Sequence, residues 1–292
     1  MTTFEKITFN GISNCLKMTN DRTELIITTL FGPRIISCTF DGKQNLFKVF
    51  EDHLKNPTAN KWNNYGGHRL WHAPEISPRT YYPDNEPVPY DIDGETLILN
   101  CPEEKINQIK KTIKITIINN TVKVEHFITN CGPWPIELSI WSITVMAQGG
   151  TLYVPQEKFV PAGCGEGQAL RPTRPTVIWP YTNMADERFT WGEKFIKLHC
   201  GDNPQPMKFG LNNQEGFSAY HLNGQWFVKH TPSIPNAKYP DCGCNSEFYT
   251  TTGMLEMESL SPLYTLNSGE TKSNTEIWEF FNEKPECIKS RE

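Results

Sequence analysis

Apolar and polar residues alternate with a period of two along much of this chain, and this alternation constrains its fold more than any other feature. The clearest case is the segment KKTIKITIINNTVKVEHFITN. Isoleucines at every second position from Ile113 to Ile117 would share one face of a strand. Asn119 and Asn120 supply a turn, and the alternation resumes at Val122. The segment therefore predicts a β-hairpin.

The segment ELIITTLFGPRIISCTFDGKQNLF predicts a second antiparallel strand pair, interrupted at Gly32-Pro33 and turning at Asp41-Gly42. No stretch of eleven or more residues has convincing helical periodicity, and the 22 Pro and 20 Gly residues are spread over the whole chain. No repeat of 20 to 50 residues is visible, which disfavours a propeller or solenoid. We expect one all-β domain over residues 1–292.

Charge and hydropathy narrow the class of partner. The formal net charge is -5 and the chain has no run of five or six like charges, which disfavours a nucleic-acid or anionic-membrane surface. No 18 apolar residues run together and the first residues lack the pattern of a secretory leader. We expect a cytoplasmic protein that binds a small neutral molecule. The sequence does not determine its oligomeric state.

The nine cysteines are an odd number and are scattered along the chain. Reduced thiols are therefore favoured over a disulfide framework. Cys242 and Cys244 are the only close pair, and no second Cys or His pair stands at zinc-finger spacing from them. We expect no metal and no cofactor.

The segment KWNNYGGHRLWHAPE concentrates aromatic and polar residues without helical or strand periodicity. A pyranose offers an apolar C–H face to an aromatic ring and hydroxyl groups to polar neighbours. Trp71, flanked by His68, Arg69, His72 and Glu75, fits such a site. The alternative is that the Trp residues fill a large β core and that the His residues are packing or surface residues.

The pair Gly66-Gly67 permits a positive φ or a close approach of the backbone to a ligand. Two His within five residues could also give or take protons near neutral pH. The segment is therefore a candidate binding loop.

A second concentration of polar residues is GMLEMESLSPLYTLNSGE. On an extended strand Glu256 and Glu258 point to the same face, about 7 Å apart. Paired carboxylates on one face are typical of acid/base catalysis or of hydroxyl binding, and the alternative is the solvated face of a half-buried strand. The alternation does not decide which way the carboxylates point.

The segment LRPTRPTVIWPYTNMADERF carries Arg171, Arg174, Asp186 and Arg188 around Trp179. Arginine in a bidentate geometry suits a carboxylate, a phosphate or vicinal hydroxyls. Surface ion pairs would explain the same residues. Arg174 and Trp179 are candidate ligand contacts on the first interpretation.

The order of these segments resembles the galactose mutarotase-like superfamily, the aldose 1-epimerases and their relatives. The opening LKMTNDRTELIITTLFGPRIISCTFDGKQNL is similar to that family's first strands, and LEMESLSPLYTLNSGETKSNTEIWEF is similar to its closing segment. The resemblance covers most of the chain in order, in short and degenerate pieces. It implies an antiparallel β-supersandwich with a sugar site on a concave sheet face.

The resemblance also implies a mechanism in which a Glu takes the proton of the anomeric hydroxyl and a His protonates the ring oxygen. Glu258 is the candidate base by its position in the motif, with Glu256 the alternative. The family's two His positions correspond here to Tyr65 in YGG and Trp141 in PIELSIWSI. Neither side chain replaces an imidazole at neutral pH.

His68 or His72 could supply the missing acid. Two hypotheses remain: a mutarotase- or epimerase-like isomerase acting on a hexose or hexose derivative, and a non-catalytic sugar-binding protein on the same fold. The predicted catalytic residues are Glu258, His72, His68 and Glu256. The predicted sugar contacts are Trp71, Arg69, Glu75, Tyr65, Trp141, Arg174 and Trp179.

Overall fold

The computed structural model describes residues 1–55, 57–58, 60–162 and 170–291, and its regular elements are almost all β-strands. Two short helices are present in these ranges, α1 (Glu51–Lys55) and α2 (Glu286–Lys289). The strands are β1 (Thr3–Phe9), β2 (Ile12–Asn20), β3 (Thr23–Thr28), β4 (Arg34–Phe40), β5 (His68–Ala73), β6 (Tyr90–Asp93), β7 (Thr96–Asn100), β8 (Ile109–Ile118), β9 (Thr121–Asn130), β10 (Ile136–Ala147), β11 (Thr151–Pro155), β12 (Thr176–Ile178), β13 (Phe189–Trp191), β14 (Phe195–His199), β15 (Met207–Leu211), β16 (Phe217–Leu222), β17 (Gln225–His230), β18 (Ser246–Thr251), β19 (Met254–Leu260), β20 (Tyr264–Leu266) and β21 (Thr271–Phe281).

Within the described ranges these strands form two sheets in which every pairing is antiparallel. Sheet 1 has the order β1-β2-β3-β4-β5-β10-β19-β18-β15-β12, with β20 paired to β10. Sheet 2 has the order β13-β14-β11-β16-β17-β21-β9-β8-β7-β6. The prediction of an all-β antiparallel supersandwich is confirmed.

The two predicted strand pairs are both present. Strands β8 and β9 pair from Ile118↔Thr121 outward, and Asn119 adopts the left-handed conformation, φ 54°, that a tight turn requires. Strands β3 and β4 pair as neighbours across the Gly32-Pro33 interruption. Period-2 alternation therefore identified these strands and their partners correctly.

The core lies between the two sheets. On β9 alternate residues are buried, as expected for a strand with one face in the core. Strands β5 and β19 are buried at every position, because connecting segments also cover the outer face of sheet 1 there. That doubly covered part of sheet 1 carries the candidate site.

The Gly66-Gly67 pair lies where two backbone segments pack too closely for a Cβ atom. Gly66 has φ 85° and Gly67 has φ 67°. A Cβ atom at Gly66 would lie 2.1 Å from the carbonyl oxygen of Lys48, and one at Gly67 would lie 2.3 Å from that of Ile35. The glycines therefore allow the segment that enters β5 to pack tightly against the preceding chain.

None of the helices in the described ranges is long and apolar enough to cross a membrane. The described cysteines are free thiols, with Cys242 exposed and Cys244 buried, while Cys164 lies outside the described residues.

Candidate functional site

Four strands of sheet 1, β5, β19, β18 and β15, place charged residues on its outer face, and β10, between β5 and β19, adds Trp141. In register, Arg69 on β5 lies opposite Ile143 on β10, and Ile143 lies opposite Glu258 on β19. Glu258 in turn lies opposite Glu247 on β18. Because residues directly opposite in adjacent strands share a face, these side chains form one row across the sheet.

A cavity of about 530 Å³ lies over this face, a size typical of small-molecule sites. Its aromatic lining comprises Phe50, Trp62, Trp71, Trp141, Tyr81, Tyr181 and Tyr249. Its polar lining includes Arg69, Lys208, Glu75, Glu256 and His53. The combination of aromatic faces with a few convergent charged groups is typical of a ligand site.

Lys208, on β15, forms ion pairs with two carboxylates at the floor of the cavity. Its Nζ lies 2.7 Å from Oε2 of Glu247 and 2.9 Å from Oε2 of Glu258. Trp141 donates its indole N–H to the same oxygen of Glu258 at 2.9 Å. Among the described residues, Oε1 of Glu247 and Oε1 of Glu258 are both buried and have no hydrogen-bond partner.

One ammonium cannot neutralise two buried carboxylates. Although burial opposes the charged form, Glu258 and Glu247 raise the pKa of Lys208 well above its usual value. Burial raises the pKa of Glu247 well above its usual value, against the attraction of Lys208, and burial also raises the pKa of Glu258. Burial therefore favours the protonated form of both carboxyl groups, and Lys208 opposes this effect.

Arg69 forms the second charged pair of the site. Its Nη2 lies 3.1 Å from Oε1 of Glu256, and its guanidinium carbon lies 4.5 Å from the ring centre of Trp71 and 5.3 Å from that of Trp62. These are cation–π distances. Glu256 is therefore the carboxylate of β19 that lines the cavity, whereas the side chain of Glu258 is fully buried below it.

An aromatic wall closes one side of the cavity. The ring centres of Trp71 and Trp141 lie 5.3 Å apart, and those of Trp71 and Tyr81 lie 5.0 Å apart, with edge-to-face geometry in both pairs. Tyr81 donates its hydroxyl hydrogen to Glu75. Lys208 also lies 4.8 Å from the ring centre of Trp179, which places Trp179 beside the charged floor.

His68 and His72 lie on the opposite face of β5 from Arg69 and Trp71, because successive residues of a strand point to opposite faces. His68 is buried between the sheets, where its ring lies 4.9 Å from that of Trp278 on β21. Burial lowers the pKa of both His68 and His72 well below the usual value. Neither histidine lines the cavity.

His68 belongs to an ordered chain of hydrogen bonds between the sheets. Nδ1 of His126 lies 3.2 Å from the carbonyl oxygen of Asn274, so this nitrogen carries the hydrogen. Nε2 of His126 then accepts from Nε2 of His68 at 2.7 Å, and Nδ1 of His68 accepts from the hydroxyl of Thr144 at 2.9 Å. The Thr144 oxygen accepts from Lys229 at 3.1 Å.

Lys229 ends this chain in a buried ion pair with Glu276, at 2.8 Å. Glu276 also accepts hydrogen bonds from the hydroxyl of Ser259 and, at 2.9 Å, from the indole of Trp278. His68, His126 and Glu276 have metal-ligand chemistry and lie close together. Their ligand atoms are already engaged, and Lys229 already supplies the compensating positive charge.

The remaining predicted contacts are divided between the cavity and other places. Glu75 lines the cavity. Tyr65 is buried in a small apolar cluster outside it and donates its hydroxyl hydrogen to Asn85 at 2.7 Å. Arg174 pairs with Glu157 at 2.9 Å and does not line the cavity. An ion pair therefore explains Arg174, although its side chain is buried and not at the surface.

Sequence reasoning missed three polar residues of this region. Lys208 and Glu247 lie on β15 and β18 and reach the site only through strand order. A lysine inside the apolar run MKFGL was the available signal for Lys208. His53, on α1, is exposed at the rim and was not considered, because nothing near it in the sequence resembles a site.

No protein-family model matches the sequence and no curated protein matches it. Solved structures do match in fold. A galactose mutarotase-like protein from Lactobacillus casei ATCC 334 has a TM-score of 0.58 and 11% identity, with 91% of this chain and 100% of that chain covered. A galactose mutarotase-like protein from Clostridium acetobutylicum has a TM-score of 0.58 and 11% identity, with 97% and 98% covered.

A TPR-domain containing protein from Parabacteroides distasonis ATCC 8503 also matches, with a TM-score of 0.59 and 13% identity. The match covers 94% of this chain but only 48% of that one, so this chain spans about half of its length. These likenesses show that the chain has the galactose mutarotase-like fold.

Proposed function

We propose that this chain, with its galactose mutarotase-like fold, binds a hexose or hexose derivative and interconverts its forms as a mutarotase- or epimerase-like isomerase. One observation carries the proposal: buried carboxylates and cations share the floor of an aromatic-walled cavity on the outer face of sheet 1. Aromatic rings suit the C–H face of a sugar, and charged groups suit its hydroxyls. The two structural matches described as galactose mutarotase-like support this choice of ligand.

In this proposal Glu256 is the general base. It lines the cavity, and its ion pair with Arg69 holds it in place. The carboxylate takes the proton of the anomeric hydroxyl, the bond between C1 and the ring oxygen breaks, and the aldehyde rotates before the ring closes again. Glu258 remains the alternative base, because a shift of Lys208 or Trp141 would expose its unpaired Oε1 to a substrate.

A general acid must protonate the ring oxygen. His53 takes this role in the proposal, in place of His68 or His72, because it is the histidine that lines the cavity in the described part of the chain. Imidazole exchanges protons near neutral pH. Lys208 contributes a fixed positive charge beside the reacting oxygens.

The second candidate function is non-catalytic sugar binding on the same fold. It is favoured by the two family His positions, which are Tyr65 and Trp141 here. The indole N–H of Trp141 is engaged by Glu258, so it donates no proton to a sugar. Under this alternative the carboxylates bind hydroxyl groups and no proton is transferred.

The exchange rate between anomers, measured by saturation-transfer NMR on common hexoses and hexose derivatives, tests the proposal. We expect Glu256→Gln to lower this rate by about 100-fold or more with little change in affinity. His53→Asn should also lower it, while Glu125→Gln, on the far sheet, should leave it unchanged. If Glu258→Gln lowers the exchange rate more than Glu256→Gln does, Glu258 is the general base. Sugar binding without any acceleration by the wild type would favour the binding protein.

A further inference from the structure

Resting on the proposed sugar site, we propose that the recess formed by Trp62, Arg69 and Trp71 takes the acetamido group of an N-acetylated amino sugar. The recess lies at one end of the cavity. It is defined by the two indole rings and by the Arg69 guanidinium, whose carbon lies within 5.3 Å of both ring centres.

Unpaired hydrogen-bond donors are concentrated in this recess. Within the described ranges, Nε and Nη1 of Arg69 and Nε1 of Trp62 are buried and have no acceptor. Arg69 as a whole is 2% exposed. A buried donor without an acceptor is costly, and three of them on two adjoining side chains indicate a place for an oxygen atom that the protein itself does not provide.

The charged side chains around the recess disfavour an anionic ligand group there. Arg69 is already paired with Glu256, and Glu75 lies on the same cavity wall, where Tyr81 donates to it. A carboxylate or phosphate on the ligand would meet two carboxylates and one guanidinium. A neutral acceptor leaves the Arg69–Glu256 pair intact and avoids this repulsion.

An amide satisfies the recess better than a hydroxyl does. Its carbonyl oxygen has two lone pairs and accepts from two of the unpaired donors. Its N–H can donate to Glu256 or Glu75, and its methyl group would pack against the indole faces.

In this proposal Trp62 moves to admit the ligand. Trp62 is half-buried, and its ring contacts Trp71 at 4.9 Å and Tyr81 at 5.7 Å between centres. Rotation of this indole would bring the unpaired N–H groups of Arg69 within reach of a ligand oxygen in the cavity.

Calorimetric titration of the full chain with matched sugars tests the inference. We expect N-acetylglucosamine or N-acetylgalactosamine to bind about tenfold tighter than glucose or galactose, since hydrogen bonds to a charged donor are among the stronger ones. Glucuronate should bind no tighter than glucose. Equal affinities, or tighter binding of glucuronate, would overturn the inference and leave the sugar site standing. Failure of every sugar to bind would overturn the proposed function as well.

Two variants test where in the cavity the preference for N-acetylated sugars arises. Trp62→Phe keeps an aromatic ring and removes the N–H, so the ratio between the N-acetylated and parent sugars should fall at least threefold. Trp179→Phe makes the same change at the Lys208 end of the site, and there the ratio should persist. A ratio that is unchanged in Trp62→Phe and lost in Trp179→Phe would place the acetamido group at the other end of the cavity and overturn this assignment.

Discussion

Two buried charged clusters lie on opposite faces of sheet 1, and they differ in how completely their groups are paired. In the interior cluster, Trp278 donates its indole N–H to Glu276 at 2.9 Å, and Lys229 balances that carboxylate. In the cavity cluster, Trp141 donates to Glu258 at 2.9 Å, and Lys208 balances it. The two arrangements are chemically alike.

The two clusters differ in how many of their buried polar atoms lack a hydrogen-bond partner. In the described ranges His68, His126, Lys229 and Glu276 all have partners, whereas Glu258, Glu247 and Arg69 keep unpaired buried atoms. A closed and fully paired network stabilises the packing of two sheets. An incompletely paired network below a cavity is free to bind a ligand. Under the proposed function, the interior cluster stabilises the fold and the cavity cluster binds the ligand.

The largest effect should come from breaking the interior ion pair. Lys229→Met leaves Glu276 charged and buried without its partner, so the free energy of unfolding should fall by about 3–5 kcal/mol. Urea denaturation measures this change. Lys123→Met, which removes an exposed partner of Glu125, is the control and should cost about 0–1 kcal/mol. Equal losses in the two variants would contradict the structural role of the interior cluster.

Acidic pH should weaken the protein through the same cluster. Burial lowers the pKa of His126 to about 4, so the folded state keeps this ring neutral while the unfolded state binds a proton below about 6.5. The stability from His126 is complete above pH 6.5 and is lost as pH falls toward 4. Between pH 7 and pH 5 the loss is about 2 kcal/mol. Urea denaturation at these two pH values should show a flatter dependence in His126→Asn, and an unchanged slope would contradict the assignment.

In the cavity, Trp71→Ala should weaken sugar binding by about 1–2 kcal/mol, the usual cost of removing a well-packed aromatic contact. Calorimetric titration measures the affinity, and circular dichroism checks that the variant is folded. An unchanged affinity in a folded variant would make Trp71 a core residue and break the link between the aromatic wall and binding.

The smallest effect is expected at Arg174. Because this side chain pairs with Glu157 away from the cavity, Arg174→Gln should change sugar affinity by less than about twofold, near the limit of calorimetry. A loss of about tenfold would mean that Arg174 reaches the ligand, as the sequence interpretation held.

Much of the fold was predictable from sequence because alternation on strands such as β8 and β9 reports one buried face. The site was harder to predict for the same physical reason. Strand β5 is buried at every position, so its alternation does not reveal that Arg69 and Trp71 face the cavity while His68 and His72 face away from it. Glu256 and Glu258 share a face, but their different depths depend on Lys208 and Trp141 from other strands.

The pair Trp141 and Trp278 offers the most direct test, because both donate an indole N–H to a buried glutamate on opposite sides of sheet 1. The measurement is a sugar titration followed by the indole N–H signals in NMR spectra of the nitrogen-15-labelled protein. We predict that the signals of Trp141 and Trp71 shift with sugar concentration while that of Trp278 stays fixed. A shift of Trp278 without Trp141, or no shift of either at saturating sugar, would contradict the assignment of the cavity as the binding site.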